Sequence, residues 1–441
     1  MPVLSSGHSS FTCERYTRMN ILYVTPYVPS RIRTRPYNLI RALTHLNHQV
    51  TLLTAAGTLP EEQVQAGELR TWGVQVEVFP VSLARSLSNC LRALPTREPL
   101  QAAFAYHPEM ERRLGDLLRE KVFDVVHVEH LRAARLVRAV KEVPTVYDAV
   151  DCISLLFEQT AHSGTQLRSR LMAAVDLART RRYEARLLTQ YDQVVVTSRR
   201  DQEALERLAR RYLSPQAYAA PITVVTNGVD LEYFQPPKTR FFSKNLASPP
   251  TMIFTGKMSY HANIAAVLYF VREVLPCIWA QNPDVRFQIV GKDPPETVRQ
   301  LAADGRIQIT GTVDDLRPYL AQARVAVCPV PYAVGVQLKV LEAMAMGTPV
   351  VCTSAAFAGL DAHEGQEALV ADTPERFAAQ VLRVLTDAAL ARRLSVAGWQ
   401  YVETHHSWES GARQLAEVYE EAQSKADKRR WDPSTLSSQV H

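Results

Sequence analysis

The stretch from Gly335 to Val351, GVQLKVLEAMAMGTPVV, joins a glycine-led polar loop to a short helix pattern. The first turn of a helix has backbone N–H groups without acceptors and the positive end of the helix dipole, so it can bind an anion. A glycine at the start lets the anion approach the backbone closely. The residues expected to offer these N–H groups are Gly335, Val336, Gln337 and Leu338.

Two charged residues follow in the same helix pattern. Lys339 falls in the first turn, where a cation opposes the helix dipole and is unfavourable unless an anion offsets it. Glu342 follows one turn later and could accept hydrogen bonds from vicinal hydroxyls. A diphosphate attached to a ribose fits this arrangement. An ordinary surface helix with a solvated lysine and glutamate fits the local physics equally well.

The elements around this stretch form two similar series. Short apolar strand patterns alternate with helix patterns from Ile21 to about Ser198, and the alternation restarts at Thr251. Buried strands separated by helices indicate parallel sheets covered on both faces. Between the series, the segment ITVVTNGVDLEYFQPPKTRFFSKNLASPP has the Gly, Pro and Ser content of a linker. We predict an α/β protein with two doubly wound, Rossmann-like domains that face a cleft, where ligands bind at the carboxyl ends of the strands.

Composition limits the functional classes. The 441 residues carry a net charge of +5, which suits an anionic small molecule or membrane surface and is too weak to indicate nucleic acid. The six cysteines lack C-x-x-C spacing, so we expect reduced thiols and no metal site. No run of eighteen apolar residues is apparent, and the first eighteen residues lack a signal-like apolar segment. The expected location is the cytoplasm, and Met19 is a candidate start.

Cofactor motifs are absent at the expected places. VTPYVPSRIRTRP follows the first strand of the first half, and FTGKMSYHAN follows that of the second half. Neither contains G-x-G-x-x-G, and no G-x-x-x-x-G-K-[ST] loop occurs in the sequence. These observations disfavour a nicotinamide, flavin or P-loop enzyme, and we expect no cofactor.

Several ordered motifs of the second half resemble one known family. Gly335 to Val351, together with TNGVDLEYFQP, FTGKMSYHAN and IQITGTVDDLRPYLAQARVAVCPV, resembles the donor half of a GT-B glycosyltransferase of family 4 (group 1). The first half resembles the same family more loosely, through ILYVTPYVP, NHQVTLLT and DVVHVEH. The resemblance implies a GT-B enzyme that transfers a sugar from a nucleotide diphosphate to a hydroxyl acceptor, usually with retention of configuration and without a metal.

The resemblance also assigns domains. The expected boundaries are a disordered tail at 1–18, an acceptor-binding domain at 19–226, a donor-binding domain at 227–406, and a disordered tail at 424–441. A final helix at 407–423 would pack back on the acceptor domain. The implied partners are a nucleotide sugar and a carbohydrate or lipid-linked acceptor, with no nucleic acid.

The resemblance assigns a donor-binding role to individual residues of this sequence. Glu342 matches the second acid of a paired-glutamate motif that binds the donor ribose, whereas the first acid's position holds Val334. Lys257 stands where the family usually has an arginine on the diphosphate; the second basic position falls at Ala262, and Lys339 is placed to replace it. A solvated loop lysine is the alternative for Lys257. Further candidates are Gly311, Thr312 and Val313, which match a turn framing the nucleobase, and Gly291 and Lys292, which end a strand at the same rim.

The acceptor side is less defined. Arg31, Arg33 and Arg35 follow the first strand, where the family has a glycine-rich loop against the diphosphate or acceptor, but solvated arginines fit as well. The candidates for the catalytic set end later strands and are His127, Asp148 and Asp151. For His127 and its neighbour His130, a structural role is the alternative. Where the family often has a His-Asp pair, this chain has Val150 and Asp151. An acid there could accept the proton of a hydroxyl nucleophile, or Asp151 could cap the next helix.

A basic helix raises the question of a membrane. LRSRLMAAVDLARTRRYEARLL carries six arginines against two acids, and such a helix can lie on anionic lipid at the inner face of the membrane. A solvated charged face is the alternative. The six arginines are Arg168, Arg170, Arg179, Arg181, Arg182 and Arg186.

Rival functions remain at this point. A sugar phosphorylase or a nucleotide-sugar epimerase on the same fold would differ in whether phosphate or an acceptor alcohol is the second substrate. A non-catalytic two-lobed binding protein would not need the combination of Lys257, Lys339 and Glu342.

Overall fold

A computed structural model describes residues 17–56, 60–140, 142–163, 167–236, 249–331 and 336–431. The described part has two α/β domains, each built on a parallel sheet, as the strand patterns predict. The first sheet has seven strands in the order β3-β2-β1-β4-β5-β6-β7. They are β1 (Asn20–Thr25), β2 (Gln49–Ala56), β3 (Gln75–Pro80), β4 (Val125–Glu129), β5 (Thr145–Val150), β6 (Gln193–Val196) and β7 (Ile222–Val224).

Helices cover both faces of this sheet. They have the apolar stripes that a two-sided sheet requires, such as Leu39, Ile40 and Leu43 on the first helix, all fully buried. The helices are α1 (Thr34–His45), α2 (Pro60–Thr71), α3 (Leu83–Ala93), α4 (Leu100–Phe104), α5 (Pro108–Glu120), α6 (Ile153–Ser163), α7 (Leu167–Leu187) and α8 (Arg199–Tyr212), with a 3-10 turn at Ala134–Ala139.

The second sheet has six strands in the order β10-β9-β8-β11-β12-β13. They are β8 (Thr251–Thr255), β9 (Arg286–Val290), β10 (Ile307–Gly311), β11 (Val325–Cys328), β12 (Val350–Cys352) and β13 (Leu369–Val370). The helices that follow are α9 (His261–Tyr269), α10 (Leu275–Trp279), α11 (Glu296–Arg299), α12 (Arg317–Gln322), α13 (Leu338–Ala345), α14 (Ser354–Phe357), α15 (Pro374–Thr386), α16 (Ala388–His405) and α17 (Trp408–Trp431).

The final helix returns to the first domain. Trp408, Leu415 and Tyr419 of α17 are buried in one core with Ile21 and Tyr23 of β1. The helix continues past Gln423 to Trp431, so the tail expected from residue 424 is helical in its first part. That extension, SKADKRRW, contains mostly good helix formers. Residues 1–16 and 432–441 of the expected tails lie outside the described residues.

The linker is shorter than its composition indicates. Ile222–Val224 pairs in parallel with β6 as the edge strand of the first sheet, so the predicted linker loses its first residues to that sheet. The two chain crossings between the domains then lie side by side. Val229 N donates to His406 O at 2.7 Å, and a Cβ on Gly228 would lie 2.8 Å from the backbone N of Trp408.

One helical segment differs from the expectation about membrane spans. By length and composition, His261–Trp279 is sufficient to cross a bilayer. Its apolar character has a local cause, because Val267, Phe270 and Leu275 are fully buried in the core of the second domain. The segment is therefore a core helix of that domain, with a π-type turn at Phe270–Val274.

Candidate functional site

A pocket of about 490 Å³ lies where β8, β9 and β10 end and α13 begins. We call it the second-domain pocket. Nine of the predicted donor residues line it: Lys257, Gly291, Thr312, Val313, Val336, Gln337, Leu338, Lys339 and Glu342. Lys292 also lines it, while Gly311 ends β10 next to Thr312 without lining it. Gly335 and Val334 lie outside the described residues. Motifs spread over about ninety residues thus meet at one sheet edge, as the doubly wound topology requires.

The start of α13 has the features of an anion site. Gln337 precedes the helix in an extended conformation, its side chain caps no N–H group, and no acidic residue stands in the first turn. Among the described residues of the first turn, no acidic side chain therefore neutralises the positive end of the helix dipole. Lys339, in this turn, adds a formal positive charge at the same place.

An asparagine that the sequence reasoning missed holds both lysines. Lys339 Nζ donates to Asn263 Oδ1 at 2.9 Å, and Asn263 Nδ2 donates to the backbone O of Lys257 at 2.9 Å. Asn263 is buried in the first turn of α9. It directly follows Ala262, which stands where the family has its second basic residue. This adjacency is the one feature of the sequence that points to Asn263. The asparagine therefore joins the ammonium group of Lys339 to the backbone at Lys257.

Two glycines allow the loops after β8 and β9 to touch. A Cβ on Gly291 would lie 1.8 Å from the backbone O of Gly256, and a Cβ on Gly256 would lie 2.8 Å from Asn263 Nδ2. Met258 N also donates to Lys292 O at 2.8 Å across the same loops. The contact leaves no room for side chains at the two glycines, so the two loops pack with their backbones in contact between Lys257 and Lys292.

Glu342 lies on the wall that the pocket shares with the space between the domains. Burial raises the pKa of its carboxyl to about 7, and the charge of Lys339 partly opposes this. Glu342, Val313 and Leu338 also line an interdomain cavity of about 410 Å³, which Arg31 of the first domain lines from the other side. The second-domain pocket therefore opens toward the first domain past a carboxyl group that titrates near neutral pH.

In the first domain, charged residues meet in the interior. Arg35 Nε and Nη2 both lie 2.8 Å from Asp148 Oδ2, and Arg35 Nη1 donates to Val225 O and Asn227 Oδ1 at 3.0 Å each. His127 Nδ1 lies 3.0 Å from the hydroxyl of Tyr419. We call this cluster the polar centre; its members are Arg35, His127, Glu129, Asp148 and Tyr419, all buried.

This placement revises three of the predicted roles. Arg35 is committed to Asp148 and to the first chain crossing, so it does not lie at the cleft as a phosphate ligand. Asp148 and His127 have no exposed surface and cannot contact an acceptor in this arrangement. Strand-end periodicity does not separate a rim residue from one that α1 and α17 cover. These three residues lie in the interior of the first domain.

The electrostatics of the polar centre follow from burial. Burial and the nearby Arg35 charge lower the pKa of His127 well below its usual range, so the imidazole is neutral. Burial and the Asp148 charge raise the pKa of Glu129 to about 8, so this carboxyl is protonated at neutral pH. Tyr23 and Tyr27 donate to its oxygens at 2.9 and 3.1 Å.

The polar centre does not fit a metal ion. His127, Glu129 and Asp148 offer ligand atoms within 4.8 Å of one another. The guanidinium of Arg35 already supplies the positive charge beside Asp148, and the hydroxyl of Tyr419 occupies Nδ1 of His127. A second cation would meet the arginine at close range.

Asp151 is the predicted acid that faces the second domain. It follows Val150, a β-branched residue with φ +64°, which the Asp148 carboxylate holds by accepting from Val150 N at 3.0 Å. Thr197 Oγ1 donates to Asp151 Oδ1 at 3.2 Å, and burial together with the Asp201 charge raises the pKa of Asp151 to about 6. Burial is the main cause of the raised pKa of Tyr260, in the loop before α9, and the charge of Asp151 is the second cause.

The alternative capping role of Asp151 is not observed. The first N–H groups of α6 are bound by other acids: Cys152 N donates to Asp201 at 2.9 Å and Ile153 N to Glu184 at 2.7 Å. Asp201 and Glu184, rather than Asp151, therefore bind the backbone at the start of α6.

The remaining predicted first-domain residues lie around this cleft. Arg31 is exposed, 3.7 Å from Glu68, whereas Arg33 turns toward Glu62 at 3.6 Å and stacks on Tyr27. His130 directly follows β4 with φ +69°, and burial lowers its pKa to about 3.

Comparisons with known proteins agree with this architecture. Residues 32–228 match the family model described as glycosyl transferase 4-like domain, and residues 249–387 match the model described as glycosyl transferases group 1. A phosphatidyl-myo-inositol mannosyltransferase from Mycolicibacterium smegmatis is 25% identical over 91% of this chain and 94% of its own length. An MMP α-(1→4)-mannosyltransferase from Mycolicibacterium hassiacum is 31% identical over 45% of this chain and 48% of its own length.

Solved structures share the fold. A glycosyltransferase from Rickettsia africae superposes with a TM-score of 0.63 at 14% identity, covering 92% of this chain and 99% of the other. The Anabaena protein HepE, solved with UDP, superposes with a TM-score of 0.61 at 14% identity, covering 91% and 99%. The two family models, one on each domain, together with the full-length relative and these GT-B structures, establish that the chain belongs to the family 4 (group 1) glycosyltransferases.

Proposed function

We propose that the protein transfers a sugar from a nucleotide-diphosphate sugar to a hydroxyl acceptor, with retention of anomeric configuration and without a metal ion or other cofactor. The observation that carries the proposal is the second-domain pocket. Lys257, Lys339 and the start of α13 supply positive potential for a diphosphate, and Glu342 stands one turn away for the ribose hydroxyls. The base is uracil or guanine, framed by the backbone at Thr312 and Val313.

The pocket's charges serve the departure of the nucleotide. As the bond between the anomeric carbon and the diphosphate oxygen breaks, negative charge grows on that oxygen. Lys257, Lys339 and the N–H groups of α13 stabilise this charge more in the transition state than in the ground state. These groups take the place of a divalent ion, so turnover is expected to persist in EDTA.

The acceptor side contributes a base. The acceptor oxygen attacks the anomeric carbon from the face that the diphosphate leaves, and Asp151 takes the hydroxyl proton. A base with a pKa of about 6, as burial gives Asp151, is ionised at neutral pH and still accepts a proton. Among the described residues that line the second-domain pocket, Glu342 is the one carboxyl group, and it is assigned to the ribose. The proposed transfer therefore has no covalent glycosyl-enzyme intermediate.

The acceptor is proposed to be a carbohydrate or a lipid-linked alcohol. The name of the full-length relative, a phosphatidyl-myo-inositol mannosyltransferase, supports a lipid-linked one. A cytoplasmic protein that contacts the inner face of the membrane peripherally would suit such an acceptor.

A panel of nucleotide sugars tests the proposal by release of nucleoside diphosphate. We expect release from one UDP- or GDP-sugar, its persistence in EDTA, and an axial or equatorial product linkage that matches the donor by NMR. The double variant Lys257→Ala, Lys339→Ala should abolish release, while Lys121→Ala, on the far side of the first domain, should not. Release that requires inorganic phosphate would instead identify a phosphorylase, and restoration of EDTA-treated protein by Mn²⁺ would contradict the metal-free mechanism.

A further inference from the structure

Helix α3 exposes its most apolar face. Leu83, Leu87, Leu91 and Leu94 follow one another at helical spacing, and their exposed fractions are 75%, 61%, 67% and 51%. They are four of the ten large hydrophobic residues that are exposed in the described part of the chain. A surface helix normally turns such a stripe toward the core. We call these four residues the leucine stripe.

The side of α3 that faces the protein is small and polar instead. Ser86 and Ala93 are buried there, and Asn89 Nδ2 donates to Tyr106 O at 2.9 Å. Ser82 caps the first turn by accepting from Arg85 N at 3.3 Å. These contacts hold the helix in this orientation, because rotation to bury the leucines would expose Ala93 and break the Asn89 bond. The orientation leaves an apolar surface for something outside the domain.

Basic residues surround the leucine stripe. Arg92 and Arg97 are exposed, and neither forms an ion pair with a described residue. Arg179 of the basic helix α7 donates to the backbone O of Leu94 at 2.8 Å, which fastens α7 to the end of α3. Arg182, one turn later on α7, is also exposed.

Three nearby acids are paired with arginines, and the buried Asp176 accepts from Leu100 N at 3.1 Å. Glu98 lies 2.7 Å from Arg135, Glu109 lies 3.3 Å from Arg85, and Glu158 binds Arg181 at 2.7 Å. The charge that remains around the stripe is therefore positive. Two of the six arginines in the predicted basic helix, Arg168 and Arg170, have side chains that the structure does not describe. Arg186 stacks on Tyr183.

We propose that the leucine stripe and its arginines bind the surface of an anionic phospholipid bilayer. The leucines would enter the boundary between headgroups and acyl chains, and Arg92, Arg97 and Arg182 would meet lipid phosphates. Charge complementarity selects this occupant over a second copy of the chain, because two identical basic rims brought face to face would repel each other.

The location of α3 gives the surface a role. The helix follows the carboxyl end of β3 directly, and that edge of a parallel sheet is the one that faces the cleft. His107 ties the two elements together, with Nε2 3.1 Å from Pro80 O and 2.6 Å from Arg85 Nη1. A bilayer bound at α3 would therefore lie beside the acceptor rim of the first domain. This last step rests on the proposed transfer to a lipid-linked acceptor.

Flotation with vesicles tests the surface in the full chain. The wild-type protein should float with phosphatidylcholine vesicles that contain phosphatidylglycerol and not with pure phosphatidylcholine. Leu87→Ser with Leu91→Ser should lower the partition coefficient by about tenfold for each leucine. Arg92→Glu with Arg97→Glu should lower it further at low salt and remove its salt dependence. Val64→Ser and Val122→Ser, at sites exposed by 73% and 84% on other elements, are the controls and should bind as wild type.

Three results would overturn the inference. The first is equal binding to both vesicle types, and the second is the same loss in the valine controls. The third is a dimer by analytical ultracentrifugation that Leu87→Ser with Leu91→Ser dissociates, without vesicle binding. Nucleoside-diphosphate affinity separates this inference from the proposed function, because it should be unchanged in every stripe variant. Vesicle binding without nucleotide binding would refute the transferase proposal alone, and the reverse would refute the bilayer surface alone.

Discussion

The polar centre of the first domain and the second-domain pocket are built from similar residues in equivalent places. Both collect cations and acids at the carboxyl ends of parallel strands. In the polar centre, Arg35 is enclosed by Asp148, a backbone carbonyl and Asn227, and its exposed fraction is 4%. In the second-domain pocket, Lys257 is exposed, and Lys339 has an uncharged partner, Asn263.

The difference separates two uses of charge in one topology. A buried ion pair gives little net stability, but it is costly to break, so it fixes how elements meet. Arg35 joins α1, β5 and the first chain crossing in this way. Cations held by an uncharged side chain around an open cavity retain their potential for a ligand. The first arrangement makes a joint, and the second makes a binding site.

The largest test removes α17. Truncation after His406 deletes four large buried side chains, Trp408, Leu415, Val418 and Tyr419. At about 1.5–3 kcal/mol each, the loss is roughly 6–12 kcal/mol, which equals the whole stability of a typical domain. Hydrogen exchange should show lost protection over residues 19–220, while a chain ending at Lys425 should keep it.

The same truncation probes the second domain. Nucleoside diphosphate should still bind to it, because the second-domain pocket contains no residue of α17. Unaltered protection in the first domain would show that the helix is dispensable to that core.

The next test breaks the polar centre. Asp148→Ala leaves the Arg35 guanidinium buried without its carboxylate, which should cost about 3–5 kcal/mol of unfolding free energy in urea denaturation. The matched control is Glu232→Ala, which removes the largely exposed partner of Arg41 and should cost at most about 1 kcal/mol. Equal effects in the two variants would mean that the buried pair is not a joint.

A smaller effect is expected in the second-domain pocket. Lys339→Ala should weaken UDP or GDP binding by roughly 1.5–3 kcal/mol in calorimetry, the value of a hydrogen bond to a charged group. Thermal stability should change little, because Lys339 holds an uncharged partner. If affinity were unchanged while Lys257→Ala abolished it, the diphosphate would lie away from α13.

The smallest effect is a pH dependence at Glu342. Its pKa is raised from the ordinary value of 4.5 to about 7, so its contribution to stability is present below the ordinary value and is lost as pH rises through about 7. Ribose binding should show the opposite trend, because the ionised carboxylate accepts the stronger hydrogen bonds. The preference for a nucleoside diphosphate over its 2′-deoxy analogue should rise by about 1 kcal/mol across this pH range.

Glu342→Gln is the matched variant for this prediction. It keeps an acceptor oxygen but cannot ionise, so the preference should become independent of pH. A preference that still rises in this variant would assign the titration to another group.

The two regions also differ in how far the sequence predicts them. The sequence predicts the residues of the second-domain pocket because they belong to short motifs, each at the end of its own strand. Asn263 was missed, since its role depends on contacting Lys339, 76 positions away. Arg35 and Asp148 were identified as candidates but assigned to the cleft, because their burial depends on α17 and on Asn227, 192 positions from Arg35.

Helix periodicity has a related limit at α3. The pattern of Leu83, Leu87 and Leu91 predicts an amphipathic helix correctly, but it does not say which face the domain covers. That choice follows from Ser86, Asn89 and Ala93, whose contacts form only in the folded chain. The exposed leucines therefore become visible only in three dimensions.

The return of α17 to the first domain has a consequence for biosynthesis. A ribosome delivers the chain from its N-terminus, so β1, β4 and β5 emerge long before Trp408 and Tyr419, which complete their core. The second domain, by contrast, has all its strands available once Val370 is out. The domain made last should reach its native state first, and the domain made first should wait with an open apolar face until synthesis ends. A pause or premature stop just after His406, before α17, would then leave a nascent chain that binds nucleotide and depends on chaperones.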